Sequence, residues 1–574
     1  RKPLVPCGFQ SPDRKCRQSG KVMRGQRRAN LLSPRLMGRR AFAILLLAPL
    51  LAQSASVQAR AETLPRIETR GDRHALIVDD KPFLVLGAQA NNSSNYPALL
   101  DSVFPVIDAL GANTLEMPVA WEQLEPVEGR FDYSFVDGLL ATARAHGKRL
   151  VLLWFATWKN TSPSYAPEWV KTDGARFPRM RKADGTVHSV LSPHARATLE
   201  ADKRAFVALM GHLKAADPAH TVIMVQVENE SGSYDSPRDF GSAAQALFGK
   251  PVPAALGRKG TWRDAFGEQA DRAFNAWYTA RYIDEIAAAG KAVLDLPMYC
   301  NAALSDPFAA PAAWGGASGG PDWPMIAVWK AAAPHIDLLA PDIYTRDPKA
   351  YLAYLERYAR PDNPLFVPET GNGAEFARFF WAALGRGAIG FAPFGMDRSG
   401  YSNYPLGART LDDSAIAAFA AKYRLFAPIA GDWAAIALAH PTWGFAKGDD
   451  GATQSQALGR WKVTAQFGLT QFGEPEWTWL KWTPPAWAAE PVGGGVVAQL
   501  GPDEFLVAGD HVRLRFTLAA PGKGEQMQIL SAEEGTFENG QWIMRRRWNG
   551  DQTDYGFNFA EQPVLLRVRL GTYR

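Results

Sequence analysis

The sequence predicts a (β/α)8 barrel followed by a smaller all-β domain. Between about residues 80 and 430, eight short apolar runs alternate with longer amphipathic stretches, the rhythm of a strand–helix repeat. After Asp432 the helical periodicity stops, and short β-like runs appear between Gly, Pro and Asp turns. At 574 residues the chain is too long for one ordinary core, and its 47% hydrophobic and 21% charged residues are a globular composition.

The expected barrel strands are Phe83–Gln89, Asn113–Val119, Arg149–Ala156, Thr221–Glu230, Leu296–Asn301, Asp337–Tyr344, Leu365–Glu369 and Ala388–Phe394. Amphipathic segments such as Leu99–Leu110, Phe135–His146, Thr198–Ala216 and Ala265–Leu294 lie between them. A doubly wound open sheet is the competing arrangement. Eight strands without a phosphate-binding Gly turn favour closure. In the tail, Trp461–Phe467, Phe505–Ala508, Val512–Leu518, Gln541–Arg547 and Val564–Leu570 read as strands of a sandwich. The expected domains are therefore a leader over 1–61, a barrel over 62–432 and a β domain over 433–574.

The formal net charge of +5 hides a division. Residues 1–61 hold 13 Lys/Arg against one acid, Asp13, whereas the remainder holds 50 Lys/Arg against 57 Asp/Glu. A mildly acidic body offers no electrostatic footprint for nucleic acid. The basic start has the form of an export signal. Met37-Gly-Arg-Arg40 precedes the apolar run Ala41–Ala52 and the small-residue site Ala59-Arg60-Ala61, which places a mature start near Glu62. Met23 and Met37 are the candidate starts, and Arg39-Arg40 resembles a twin-arginine signal. The apolar run is shorter than the about 20 residues a membrane anchor needs, so an exported chain, periplasmic or extracellular, is expected. Cys300 alone follows the leader and is expected as buried filler.

Gly385-x-Gly387-x-x-Gly390 matches a dinucleotide fingerprint but runs from a helix into a strand, the reverse of what that motif requires. The nine His show no metal-ligand spacing, and no Walker A, H-E-x-x-H or G-x-S-x-G pattern occurs, so neither cofactor nor metal is expected. What stands out is a carboxylate pair. The fourth run ends Val225-Gln-Val-Glu-Asn229-Glu230, and the seventh ends Phe366-Val-Pro-Glu369. Side chains at the C-terminal ends of barrel strands face the active-site mouth. Glycosidic cleavage wants two such groups, one protonating the leaving oxygen and one attacking the anomeric carbon. The carbohydrate is thus the expected partner.

Gln226-Val-Glu-Asn-Glu230 resembles the signature of glycoside hydrolase family 35, the β-galactosidases of the clan A barrels. Gly111-Ala-Asn-Thr114, Trp121, Glu125-Pro126, Gly129 and Phe131 are similar to the family's second-strand segment. Gly319-Gly-Pro321 and Ala340-Pro-Asp-Ile-Tyr344 extend the likeness, and Phe505-Leu-Val-Ala-Gly509 resembles the β domain of a bacterial branch. The resemblance implies Glu230 as acid/base, Glu369 as nucleophile and Asn229 as donor to a substrate hydroxyl. It further implies a retaining exo-β-galactosidase, with galactose side chains of xyloglucan as a substrate class. The family's Ala-Glu pair after strand three is missing; this chain reads Phe155-Ala-Thr-Trp158-Lys-Asn160 there. Another clan A β-glycosidase, or a non-catalytic carbohydrate-binding barrel, are the alternatives.

Adjacent residues on a regular strand face opposite sides. If Asn229 and Glu230 both reach substrate, a bulge or strand-end twist is expected there. Glu228 is expected to be structural. Tyr344 could hydrogen-bond Glu369, and Gln89, Asn91 and Asn92 could bind hydroxyls or cap turns. Trp158, Trp121 and Trp329 are the candidates for stacking on a sugar face.

Overall fold

Residues 63–310, 315–469 and 483–574 are described by a computed structural model; the expected leader over 1–61 lies outside them. Eight parallel strands close into a barrel: β1 (Val85–Gln89), β2 (Thr114–Ala120), β3 (Arg149–Lys159), β4 (Val222–Asn229), β5 (Met298–Ala302), β6 (Leu338–Ile343), β7 (Phe366–Thr370) and β8 (Gly390–Pro393). Each neighbours the next in chain order, and β8 pairs with β1 to complete the circle. Connecting helices include Leu100–Leu110, Ser134–Ala145, Arg196–Ala216 and Ala270–Val293, in the segments the amphipathic pattern marks. The Gly385–Gly390 segment does leave one helix, Phe379–Leu384, and enter β8.

The two-residue strand period sorts side chains into two cores. Leu115, Met117, Leu152, Trp154, Val225, Val227, Leu339 and Val367 belong to the large cluster beneath the helices. Val85, Val151, Leu153, Phe155, Met224, Tyr299, Leu338, Ala340 and Phe366 fill the barrel interior together with Leu76 and Val78. Those last two come from an N-terminal three-stranded antiparallel sheet, Arg66–Arg70, Arg73–Val78 and Lys81–Phe83, which the sequence pattern did not mark apart from Phe83. No helix among the described residues is long and apolar enough to cross a membrane.

The expected domain boundary at Asp432 falls inside a helix, Ala430–Ala439; strand structure begins at Thr442–Ala446. From there a six-stranded and a four-stranded antiparallel sheet face each other across Trp461, Val463, Phe505, Phe516, Leu566 and Val568. The expected tail strands are present, and Gln526–Glu538, missed because its residues are mostly half-exposed, is the longest. Barrel and sandwich share one compact unit. Val496, Ala498, Leu506 and Ala508 of the six-stranded sheet join the barrel's outer core. Gly385 and Gly444 meet so closely that a Cβ on Gly385 would lie 1.8 Å from the Gly444 nitrogen.

At this junction Asp510 is buried. Its Oδ2 lies 2.8 Å from Lys422 Nζ, itself 8% exposed, and accepts from Trp381 Nε1 at 3.2 Å. Burial pushes the Asp510 carboxyl up, but Lys422 and His511 outweigh it and hold it below the usual carboxylate range. A depressed native value means that this ion pair's stabilisation is present above the ordinary carboxylate range and is lost as pH falls through the depressed value. Asp510→Ala, which leaves Lys422 buried and unpaired, should cost about 3–5 kcal/mol in urea unfolding. Lys422→Met with Asp510→Leu should recover most of it; an Asp510→Ala protein as stable as the wild type would show that the pair holds nothing.

Candidate active site

The C-terminal mouth of the barrel is built where the interior pattern turns polar. Along β6 the inward positions run Leu338, Ala340 and then Asp342; along β5 they run Tyr299 and then Asn301. A cavity of about 560 Å³ opens there, lined in part by Lys159, Asn160, Glu230, Tyr234, Asp342, Tyr344 and Glu369. That volume suits a small-molecule site.

Neither glutamate gets there by regular alternation. Phe366 faces inward and Val367 outward, so Glu369 would follow Val367 to the helix side. A register shift between Val367 and Thr370 re-aims it into the mouth. On β4, Met224 faces inward, which would carry Glu228 inward and Asn229 outward. Instead Glu228, at φ +63°, accepts from the Thr157 and Trp158 amides at 3.2 and 2.7 Å. Its neighbour there is the buried Asp202 on the helix Arg196–Ala216; burial first, then the Asp202 charge, pushes the Glu228 carboxyl well up. Asn229 is thereby released to the interior, where Nδ2 donates to Glu369 Oε1 at 3.3 Å. Glu230 follows at φ +43° and lines the same cavity. The strand-end twist that two neighbouring site residues require is thus present. The partner edge of β3 is irregular too, between Trp154 and Lys159.

Four donors converge on Glu369: Tyr344 OH at 2.5 Å, Gln89 Nε2 at 3.0 Å, Asn229 Nδ2 at 3.3 Å and Asn301 Nδ2 at 3.5 Å. They fix its orientation. Asn301 also joins the two halves of the site, accepting from the Glu230 amide at 3.0 Å and donating to Asp342 Oδ2 at 2.7 Å. Glu230 differs from its companions: Glu116, Asp342 and Glu369 are buried, whereas Glu230 keeps partial exposure to the cavity. Burial raises the Glu230 carboxyl, the Lys159 ammonium opposes this, and Glu369 adds to it, leaving a value of about 7. Burial, then the charges of Glu369 and Glu230, pushes Asp342 well above the carboxylate range. Burial and then Glu369 do the same to Glu116, which accepts from Tyr299 OH at 3.3 Å.

Several expected roles need correction. Trp158 is fully buried on the helix side of β3, edge-on to Tyr282 at 4.8 Å, in step with Leu152, Trp154 and Ala156, which the strand alternation also turns outward. Trp329 is fully buried in the helix Ile326–Ala332 and donates to the Gly319 carbonyl at 3.1 Å; Trp121 is buried and donates to Glu125. None of the three offers a face to a sugar. Gln89 is fully buried beneath the mouth and grips Glu369. Asn91 is buried against Asp397 and lines a neighbouring cleft; Asn92 does line the carboxylate cavity. Cys300 is buried with its thiol pushed well up by burial. Lys159, Asn301, Asp342 and Glu116 are the site residues that sequence reasoning gave no role. For Asn301 and Asp342 the available signal was a polar residue ending an apolar strand, the same one that marks Glu230 and Glu369.

Two segments of the chain match known protein-family models. Residues 100–292, from the helix after β1 to the helix before β5, match the family model of glycoside hydrolase family 42, described as β-galactosidase. Residues 419–560 match a domain of unknown function, DUF5597. The model that matches is that of family 42 rather than the family 35 that the short motifs suggest, and the β-galactosidase description is what the two have in common. A β-galactosidase of Xanthomonas manihotis is 28% identical over 223 residues, 37% of this chain and 34% of that protein, so the match spans about a third of its relative. Similar solved structures are β-galactosidases of Bacillus circulans sp. alkalophilus (TM-score 0.46, 14% identity, 62% of this chain and 57% of that one) and of Marinomonas ef1 (0.44, 13%, 62% of each).

The Lys159 charge is what holds the Glu230 carboxyl down against burial. In Lys159→Met, Glu230 should titrate above the about 7 of the wild type. A carboxyl ¹³C titration of glutamate-labelled protein reads this directly; an unmoved midpoint would remove Lys159 from the electrostatics of the site.

Proposed function

We propose that the protein is a retaining exo-β-galactosidase working by double displacement, with Glu369 as nucleophile and Glu230 as acid/base. One observation carries the reading: Glu230 and Glu369 line one cavity, the first able to exchange a proton near neutrality, the second clamped by four donors. The β-galactosidase family match over residues 100–292 supports it.

The chemistry follows from the two environments. A Glu369 oxygen attacks the anomeric carbon while the bond to the leaving oxygen breaks and protonated Glu230 delivers its proton there. A glycosyl ester on Glu369 results. Glu230, now a carboxylate, takes a proton from water; the water oxygen attacks the anomeric carbon, and the ester bond breaks to free Glu369. Asn229, held between Glu369 and Lys159 Nζ at 2.8 Å, is positioned to donate to a hydroxyl beside the reacting carbon. The first step needs Glu230 protonated, so kcat/KM falls as pH rises through about 7.

Galactose carried on xyloglucan side chains is the substrate class we propose, from the likeness of the tail to that of xyloglucan-active enzymes. Lys159 and Asn160, where family 35 carries an acid, favour a second reading, a clan A β-glycosidase of different sugar preference. The leader supports export. Glu369→Ala should lower turnover of an aryl β-galactoside by at least about 10⁴-fold with the fold intact. Azide should then yield an α-galactosyl azide. Wild-type-like turnover by Glu369→Ala would sink the mechanism, and preference for an α-glycoside or a glucoside in an aryl-glycoside panel would sink the sugar.

A further inference from the structure

Beside the carboxylate cavity lies a second cleft of about 400 Å³, and the two share Asn92 and Phe394 as a common wall. Its other lining side chains include Ser93, Ser94, Tyr165, Ser399 and Tyr401. The cleft sits on the side of the mouth formed by the loops after β1 and β8, away from Glu230 at the end of β4.

Three features say what it would hold. First, no charged side chain lines it among the described residues, which disfavours an ionic ligand; hydroxyls and amides beside tyrosine rings suit a neutral polyol with an apolar face. Second, its polar rim is rigid. Asp397 accepts from the Asn91 amide at 2.7 Å, Asn91 Nδ2 at 2.9 Å, Ser94 Oγ at 2.8 Å and the Ser399 amide at 3.0 Å, tying the two loops together. Burial pushes the Asp397 carboxyl up, but these donors outweigh it and hold it below its usual range. Third, two lining groups are left open to a ligand. Asn92 Oδ1 is buried without a partner in the dividing wall, and Tyr401 leaves 67% of its surface exposed. Tyr165 is braced by Phe155 at 5.3 Å and by Ser93 Oγ at 3.3 Å.

We propose that this cleft binds a neutral pyranose unit of the substrate other than the galactose that carries the reacting carbon, so that a branched or extended oligosaccharide is recognised by two adjoining sugar sites. The proposal rests on the glycosidase reading above and deepens it. The unit could be attached to the cleaved sugar or belong to the leaving chain, and the two sources are separable.

Tyr401→Ala removes the exposed ring, and Ser93→Tyr fills the cleft from an exposed position. Both should leave kcat/KM for 4-nitrophenyl β-galactoside within about twofold and lower it about tenfold or more for galactosylated xyloglucan oligosaccharides. Equal losses on both substrates, or none, would overturn the proposal. With lactose and 2′-fucosyllactose as competitors, a weakened inhibition constant for the second alone assigns the cleft to a substituent on the terminal galactose. Unchanged competition together with a loss on β-1,4-galactotriose assigns it to the leaving chain. If the wild type turns over no β-galactoside, the glycosidase reading fails by itself. Calorimetric titration of xyloglucan oligosaccharides then tests the cleft alone: binding that Tyr401→Ala weakens supports it, and no binding, or equal binding by the variant, overturns it.

Discussion

Four carboxyl groups, Glu116, Glu230, Asp342 and Glu369, are crowded at one end of the barrel; the last three line a cavity in which Lys159 is the one basic side chain among the described residues, and Glu116 lies buried within reach of the Glu369 charge. In a medium of low polarizability such a cluster cannot carry four charges. The structure resolves the repulsion by division. Burial and neighbouring charge push the Glu116 and Asp342 carboxyls well up, the Lys159 ammonium offsets part of the same push on Glu230 and leaves it at about 7, and neutral amide and phenol donors surround Glu369. Two carboxyls in one cavity thereby acquire different environments, which is how an acid and a nucleophile are told apart in glycosidic chemistry.

Placing those groups requires backbone that regular strands do not supply. Glu228 and Glu230 at the end of β4, and Asn160 and Thr161 beyond β3, all take positive φ with side chains that disfavour it, at a cost of order 1–3 kcal/mol each. The two turns hold each other, since the Thr161 amide donates to the Glu230 carbonyl at 3.1 Å. The scaffold supports the strain from below through an apolar barrel interior closed by Leu76 and Val78, and from the side through a sandwich joined to the helices by Lys422 and Asp510. Strain collected at one end of a rigid barrel is characteristic of a site whose geometry matters more than local comfort.

The family evidence has the same physical shading. Gln226-Val-Glu-Asn-Glu230 is short, and its last three residues each have a visible contact or position: Glu228 answers the β3 amides, Asn229 grips Glu369, and Glu230 lines the cavity.

The fold was legible because the strand and helix periods are written in the apolar residues. All eight barrel strands and the tail strands Trp461–Phe467, Val512–Leu518 and Gln541–Arg547 stand where those periods place them. The N-terminal sheet and the half-exposed strand Gln526–Glu538 escaped because their residues alternate too weakly between core and solvent. At the site, Glu230 and Glu369 could be singled out from a polar residue ending an apolar run. Among the aromatic candidates, Trp158 failed because it shares the outward side of β3 with Leu152, Trp154 and Ala156, while its neighbour Lys159 arrives at the mouth, and Trp329 failed because it packs inside a helix interface. Sequence alone determined the barrel and its pair of glutamates, since periodicity is a local property. Only the tertiary structure decided which neighbours share their cavity, because that depends on where strands far apart in the chain end and twist.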